Sequence, residues 1–185
     1  MKKPNIVYIH THDTGRFIQP YGYASPTPRL QQFAEEGVLF RNAFCCGPTC
    51  SPSRACMLSG TSAHTNGMHG LAHFGFKMND YSRHLAQFLG RNGYETALVG
   101  FQHESGDVND LGYHHVLEPK FDYDDPIREE FDACATENMR TKKNDIARAH
   151  AAREFVQEDR QKPFFLSLGM FCTHREFMDV LPGIN

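Results

Sequence analysis

Residues 4–15 read PNIVYIHTHDTG. The run NIVYIH, residues 5–10, is apolar and rich in β-branched side chains, the composition of a strand buried on both faces of a parallel sheet. His12 and Asp13 follow within three positions of its end. A buried strand that opens directly onto reactive side chains points to an α/β protein, whose sites gather at the carboxyl ends of strands.

Working outward, Thr27 is a capping residue and Pro28 suits a first helical position, so a helix starts there with Leu30, Phe33 and Ala34 on one face. Gly37 stops it, and VLFRNAF, residues 38–44, reads as a second strand. Ser51-Pro52 repeats the cap-plus-proline signal and starts a helix just after Cys50 that runs towards Leu58. Residues 60–76, rich in glycine and histidine, read as loop. Residues 83–92 are helical, with Leu85, Phe88 and Leu89 on one side and Gly93 as the stop. YETALVG, residues 94–100, is the next strand, and residues 102–135 are acidic, aromatic and irregular. A long helix over 141–160 has Ile146, Ala149, Ala152 and Val156 as its expected buried stripe. PFFLSLGMF, residues 163–171, is the last strand. Strands alternating with helices predict a mainly parallel α/β sheet flanked by helices. Four segments then bring reactive groups to one edge: His12-Asp13, Cys50, His103-Glu104 and His174-Arg175.

Composition narrows the function. The chain has 185 residues, 40% hydrophobic and 22% charged, which suits a folded domain rather than a disordered one. Its formal charge is −3 with no basic block, so the electrostatic footprint of a nucleic-acid binder is missing. The first apolar run, residues 6–9, falls short of the roughly 7–15 residues of a secretory signal, and nothing approaches the roughly 20 of a membrane span. No nucleic-acid or membrane partner is expected. The expected location is cytoplasmic, with free thiols, or periplasmic or lysosomal if a leader was removed before the numbering begins.

Four of the six cysteines lie in CCGPTCSPSRACMLSG, residues 45–60. A disulfide is disfavoured by that compartment, and adjacent Cys45 and Cys46 pair only with strain. The spacings lack the two close pairs of a zinc knuckle, which leaves a zinc cluster as a minor alternative. Cys45, Cys46, Cys56, Cys134 and Cys172 read as small loop or buried residues. Cys50 differs because it stands at the amino end of a predicted helix, where the dipole favours an anion. Arg54 lies one turn on, about 6 Å along the axis, and can turn back to the same spot. A nucleophile beside an anion site suggests transfer of sulfate or phosphate.

Cys50-Ser51-Pro52-Ser53-Arg54 resembles the C-x-P-x-R signature of type I sulfatases, in the alkaline phosphatase superfamily. PNIVYI with HD and glycine, TPRLQQFAEEGVLFRNAF, CSPSRACMLSG, GYETALVGFQH and KPFFLSLGMFCTHREF match further blocks of that family in order. HTNGMHGL and THREF are most similar to heparan N-sulfatase-like members, the sulfoglucosamine sulfohydrolases. The resemblance implies that Cys50 is converted by a maturation enzyme to formylglycine, with Pro52 and Arg54 marking it for conversion. The hydrated aldehyde, held by a divalent metal that is usually Ca2+, would attack sulfur and later expel sulfate. Asp13, His12 and the residue at 50 are then the implied metal ligands. Arg54 is implied to hold the formylglycine hydroxyl, His103 to handle its proton and His174 to contact the sulfate or leaving group. The implied substrate is a sulfated glycan.

The pattern departs from the family at three places. His12-Asp13 stands where paired aspartates are usual. Phe101 stands where G-K-x-H has lysine, and Arg175 is the expected substitute cation for binding substrate. The later metal pair is not identifiable, so residues 1–185 are expected to form the amino-terminal part of a catalytic domain, incomplete and inactive alone. The alternatives are a phosphonate monoester or phosphodiester hydrolase of the same superfamily, or a non-catalytic binding protein.

Overall fold

The computed structural model describes residues 3–117 and 137–174, with residues 137–143 as helical backbone only. Four strands, β1 (Ile6–His10), β2 (Glu95–Gly100), β3 (His115–Leu117) and β4 (Phe164–Gly169), form one parallel sheet in the order β1-β4-β2-β3. The helices are α1 (Pro28–Glu35), α2 (Cys50–Ser59), α3 (Ala63–Asn66), α4 (Leu85–Arg91) and α5 (Glu137–Gln157). This is the α/β class that the alternating pattern predicts.

β4 is central, and all six of its residues are buried. Its Phe164, Leu166 and Leu168 pack with Ala97 and Val99 of β2 and with Ala152 and Phe155 of α5. Phe165 faces the other way, against Ala86 and Leu89 of α4 and Tyr94. The sheet is therefore covered on both faces around β4 and β2, as parallel sheets require.

Register sets the level of the site. His10 pairs with Gly169, and Gly169 with Gly100, so β1, β4 and β2 end on one line. Gly100 has φ +82, where a side chain would be strained, and a Cβ there would also meet the Gly169 carbonyl. The two glycines let the segments leaving β2 and β4 cross closely: Phe101 N–H donates to the Gly169 carbonyl at 2.9 Å, and Met170 N–H to His10 at 2.9 Å.

Several expectations are corrected. Among the described residues β1 lies at the edge of the sheet, and its Val7 and Ile9 are exposed rather than buried, because α5 packs over β2 and β4 instead. Residues 38–44 are not a strand: no partner strand pairs with them among the described residues, and Val38, Phe40 and Phe44 stand exposed. Strand propensity without a neighbour to pair against does not make a strand. Among the described residues nothing covers the apolar face of α1 either, with Leu30 and Phe33 exposed. Residues 60–76 include α3 and a 3-10 turn at Ala72–Phe74, and the irregular stretch includes β3. α5 starts earlier than expected and buries Asp145, Ala147, Ala152 and Phe155, while Val156 is exposed. No helix among the described residues is long and apolar enough to cross a membrane.

α4 begins at His84, whose Nδ1 accepts the Ala86 N–H at 3.2 Å. His84 is fully buried, and burial lowers its pKa to about 4. The unfolded chain, with histidine near 6.5, therefore binds the extra proton first. Stability is full above that value and falls as pH drops towards 4. Between pH 7.5 and pH 5 the share of the loss due to His84 is about 2 kcal/mol. Urea unfolding of the parent and of His84→Asn, which keeps a capping acceptor, at the two pH values isolates that share. The variant should lose about 2 kcal/mol less, while His10 and His103, also held below the ordinary histidine pKa, keep the rest of the dependence.

Candidate active site

A cleft of about 210 Å³ opens at the carboxyl ends of the strands. Tyr8, His10, His12 and Asp13 line one wall, and Pro48, Thr49, Cys50, Ser53, Arg54 and Met57 the other. β1 and the amino end of α2 thus face each other, which fits the rule that α/β sites lie beyond strand ends.

α2 places its residues with one correction. Thr49 is the N-cap and Cys50 is itself the first helical residue. Thr49 makes no side-chain capping bond, so the positive end of α2 is left to the cleft. Pro52 is buried in the first turn, where its missing N–H costs nothing. Ser51 is fully buried, and its hydroxyl accepts the Ala72 N–H at 3.0 Å, tying the helix start to the histidine-rich loop.

Arg54 turns back as expected. It is 9% exposed, donates from Nη1 to His10 Nδ1 at 2.5 Å, and lies 5.1 Å from the centre of the Phe101 ring. Burial, then the Arg54 charge, lower the pKa of His10 to about 3, so the imidazole stays neutral and accepts that bond.

His12 follows β1 and is 3% exposed, while Asp13 sits at the rim with φ 59. Their side chains meet at 3.1 Å between Nδ1 and Oδ1. Burial and Arg54 hold His12 below its ordinary pKa, against the opposing pull of Asp13. The His174 ring lies 4.4 Å from that of His12, edge to face. His103 follows β2, and burial, then His73, lower its pKa to about 4. Ligand atoms of His12, Cys50 and His103 all lie within 4.8 Å of one another, and so do those of His12, Asp13 and His174. The structure thus brings together Cys50, Arg54, His12, Asp13, His103 and His174. Arg175 and Cys134 lie outside the described residues. Cys45 and Cys46 are exposed, Cys56 is buried and Cys172 is half-buried, with no disulfide among the described residues.

Four further residues shape the site. Phe101, in place of the expected lysine, is an aromatic hub: its ring lies 5.4 Å from His12, 5.5 Å from His103 and 5.2 Å from Phe171. His73 stacks on His103 and meets it at 2.8 Å, Nδ1 to Nε2; its signal was the histidine-rich loop itself. Glu104 is 1% exposed and accepts the His103 N–H at 2.8 Å, and burial raises its pKa. Asp145 of α5 accepts the Phe171 and Cys172 N–H groups at 2.9 and 2.7 Å and pairs with Arg148 at 2.7 Å. One of three acids on a helix with more basic than acidic residues, Asp145 gave no signal for that role. Asp145→Asn leaves one of those N–H groups and Arg148 without an anion. It should cost about 2 kcal/mol in urea unfolding and loosen the segment that carries His174.

The profile of the Sulfatase family matches residues 4–182. The chain belongs to the sulfatase family. Among sulfatases, it is 29% identical over 183 residues to N-acetylglucosamine-6-O-sulfatase of Bacteroides thetaiotaomicron, covering 96% of this chain and 32% of that one. Human N-sulphoglucosamine sulphohydrolase is 30% identical over 154 residues, covering 82% and 28%. A crystal structure from Bacteroides thetaiotaomicron assigned to the sulfatases superposes with a TM-score of 0.71 at 25% identity, covering 94% of this chain and 36% of that one. The chain therefore spans about a third of the length of these sulfatases.

The calcium ion expected of a sulfatase can be tested against the donors present. Calcium takes 6–8 oxygen ligands. The two groups within coordinating reach hold histidine nitrogens, the Cys50 sulfur and the single carboxylate of Asp13. Among the described residues this set, with a thiol at position 50, does not fit calcium.

Proposed function

We propose that this chain carries the nucleophile-bearing, amino-terminal part of a sulfate ester or sulfamate hydrolase that acts on sulfated glycans. The observation that supports it best is the meeting of Cys50 and Arg54 on the first turns of α2 with His12 and His103, just beyond the level ends of β1, β4 and β2. The names of the two sulfatases compared above, which concern glucosamine sulfates, favour a sulfated amino sugar as substrate.

The residues divide the work. Cys50 is the site of formylglycine, made by a maturation enzyme that reads Pro52 and Arg54; when formed, that group supplies the hydroxyl that attacks sulfur. Arg54 and the amino end of α2 offset negative charge on the sulfate oxygens, in a half-buried place where such charges act strongly. His103, neutral at pH 7 and within 4.8 Å of Cys50 between ligand atoms, is the proton acceptor, and His73 meets its Nε2. His174 contacts the sulfate or the leaving group, a role the sequence also suggests for Arg175. His12 and Asp13 are the residues here that would hold a divalent cation.

Turnover by the full-length protein, matured with a formylglycine-generating enzyme, tests this reading. Sulfated glucosamines and an aryl sulfate should be hydrolysed faster than an aryl phosphodiester. A strong diester preference would instead identify a phosphonate monoester or phosphodiester hydrolase. Phe101, an apolar ring where a cation is usual, gives some support to a non-catalytic glycan binder. Binding of the glycan by the matured protein without turnover would establish that.

A further inference from the structure

We infer that, while Cys50 remains a thiol, His12, Cys50 and His103 form a three-ligand site for zinc with its fourth position open to the cleft. This goes beyond the hydrolase reading and stands on the donor geometry alone. It also differs from a cluster of the four neighbouring cysteines, since only one of them takes part.

Three separate segments supply the donors: the turn after β1, the first residue of α2 and the turn after β2. Their ligand atoms lie within 4.8 Å of one another. Zinc at about 2.0–2.3 Å from each ligand needs them roughly 3.3–3.8 Å apart, so side-chain movements of an ångström or less complete the site. Imidazole nitrogen and thiolate are both ligand types that zinc takes, three protein ligands with one open position is the form of its catalytic sites, and this set suits a borderline metal better than calcium.

The surroundings already orient both imidazoles. Nδ1 of His12 meets the Asp13 carboxylate at 3.1 Å, which leaves Nε2 to bind metal. Nε2 of His103 meets His73 at 2.8 Å. Nδ1 of His103 is buried with no hydrogen-bond partner among the described residues. A buried ring nitrogen without a partner is costly, and a metal would satisfy it. Ligating histidines regularly hand their second nitrogen to a carboxylate or another acceptor, and here His12 has Asp13 and His103 has His73. Arg54 opposes a second cation nearby; the thiolate, formed as the thiol proton leaves to solvent, supplies the compensating negative charge. The open position on the cleft would accept water or an anion.

The test uses full-length protein produced without the maturation enzyme, reduced and stripped with chelator. Zinc chloride alone should bind at one equivalent and more tightly than calcium chloride by at least tenfold. Cobalt in its place should give a near-ultraviolet sulfur-to-cobalt band. That band should disappear in Cys50→Ser, persist in Cys46→Ser and Cys172→Ser, and weaken in His103→Ala. Zinc should also protect Cys50 of the unaltered protein from iodoacetamide, read by peptide mass, which needs no variant to fold. A cobalt spectrum without the sulfur band, a band that survives Cys50→Ser, equal or tighter calcium binding, or unprotected Cys50 would each overturn the inference.

Discussion

Cys50→Ala in the full-length protein should reduce kcat/KM for a sulfated glucosamine by 10⁴-fold or more relative to the matured parent, on the order of the loss seen when a nucleophile is removed from other hydrolases. Alanine keeps the first turn of α2, since position 50 is helical and only half-buried, so the fold should survive. Circular dichroism and the urea midpoint should stay near the parent values. Arg54→Ala should cost less, about 10²–10³-fold, because one charge-stabilising donor is lost while the nucleophile remains. Its loss also frees the His10 Nδ1 lone pair, now met at 2.5 Å. A Cys50→Ala protein with near-parental turnover would mean that the chemistry lies elsewhere.

The second large effect is on stability. Gly169 ends the central strand, and a Cβ there would fall on the Phe101 carbonyl oxygen and the Phe101 carbonyl carbon. Both are backbone atoms, held by the Phe101 N–H bond to the Gly169 carbonyl, so no side chain can swing aside. Gly169→Ala should therefore cost at least about 3 kcal/mol, beyond the usual range for overpacking at a yielding site. Urea unfolding at pH 7.5 measures it. Because Gly169 lies level with His10 and Gly100, the same variant should also displace the turns that carry His12, His103 and His174.

Much of this could be read from local pattern. NIVYIH, YETALVG and PFFLSLGMF announce β1, β2 and β4, and the rule that sites follow strand ends places His12, His103 and His174 together. Thr27-Pro28 and Ser51-Pro52 mark the starts of α1 and α2 within a residue. The misreadings share one cause, that a strand or a buried stripe is defined by its neighbours. VLFRNAF has the composition of a strand but lacks a pairing partner among the described residues. Val156 fits a helical repeat, yet the face of α5 that meets the sheet is the one carrying Ala152 and Phe155. His73 and Asp145 act across the fold, reaching 30 and 26 residues along the chain to His103 and Phe171, and no local pattern records such a meeting. The block ending in Phe101 and His103 flagged the missing lysine; only the structure shows Phe101 as the ring that His12, His103, Phe171 and Arg54 surround.

The most direct test of the central claim is the mass of the peptide that contains Cys50, taken from full-length protein coexpressed with a formylglycine-generating enzyme. Conversion to formylglycine should leave a mass about 18 Da below that of the cysteine form, as the thiol becomes an aldehyde. An unmodified thiol at Cys50 under those conditions would contradict it.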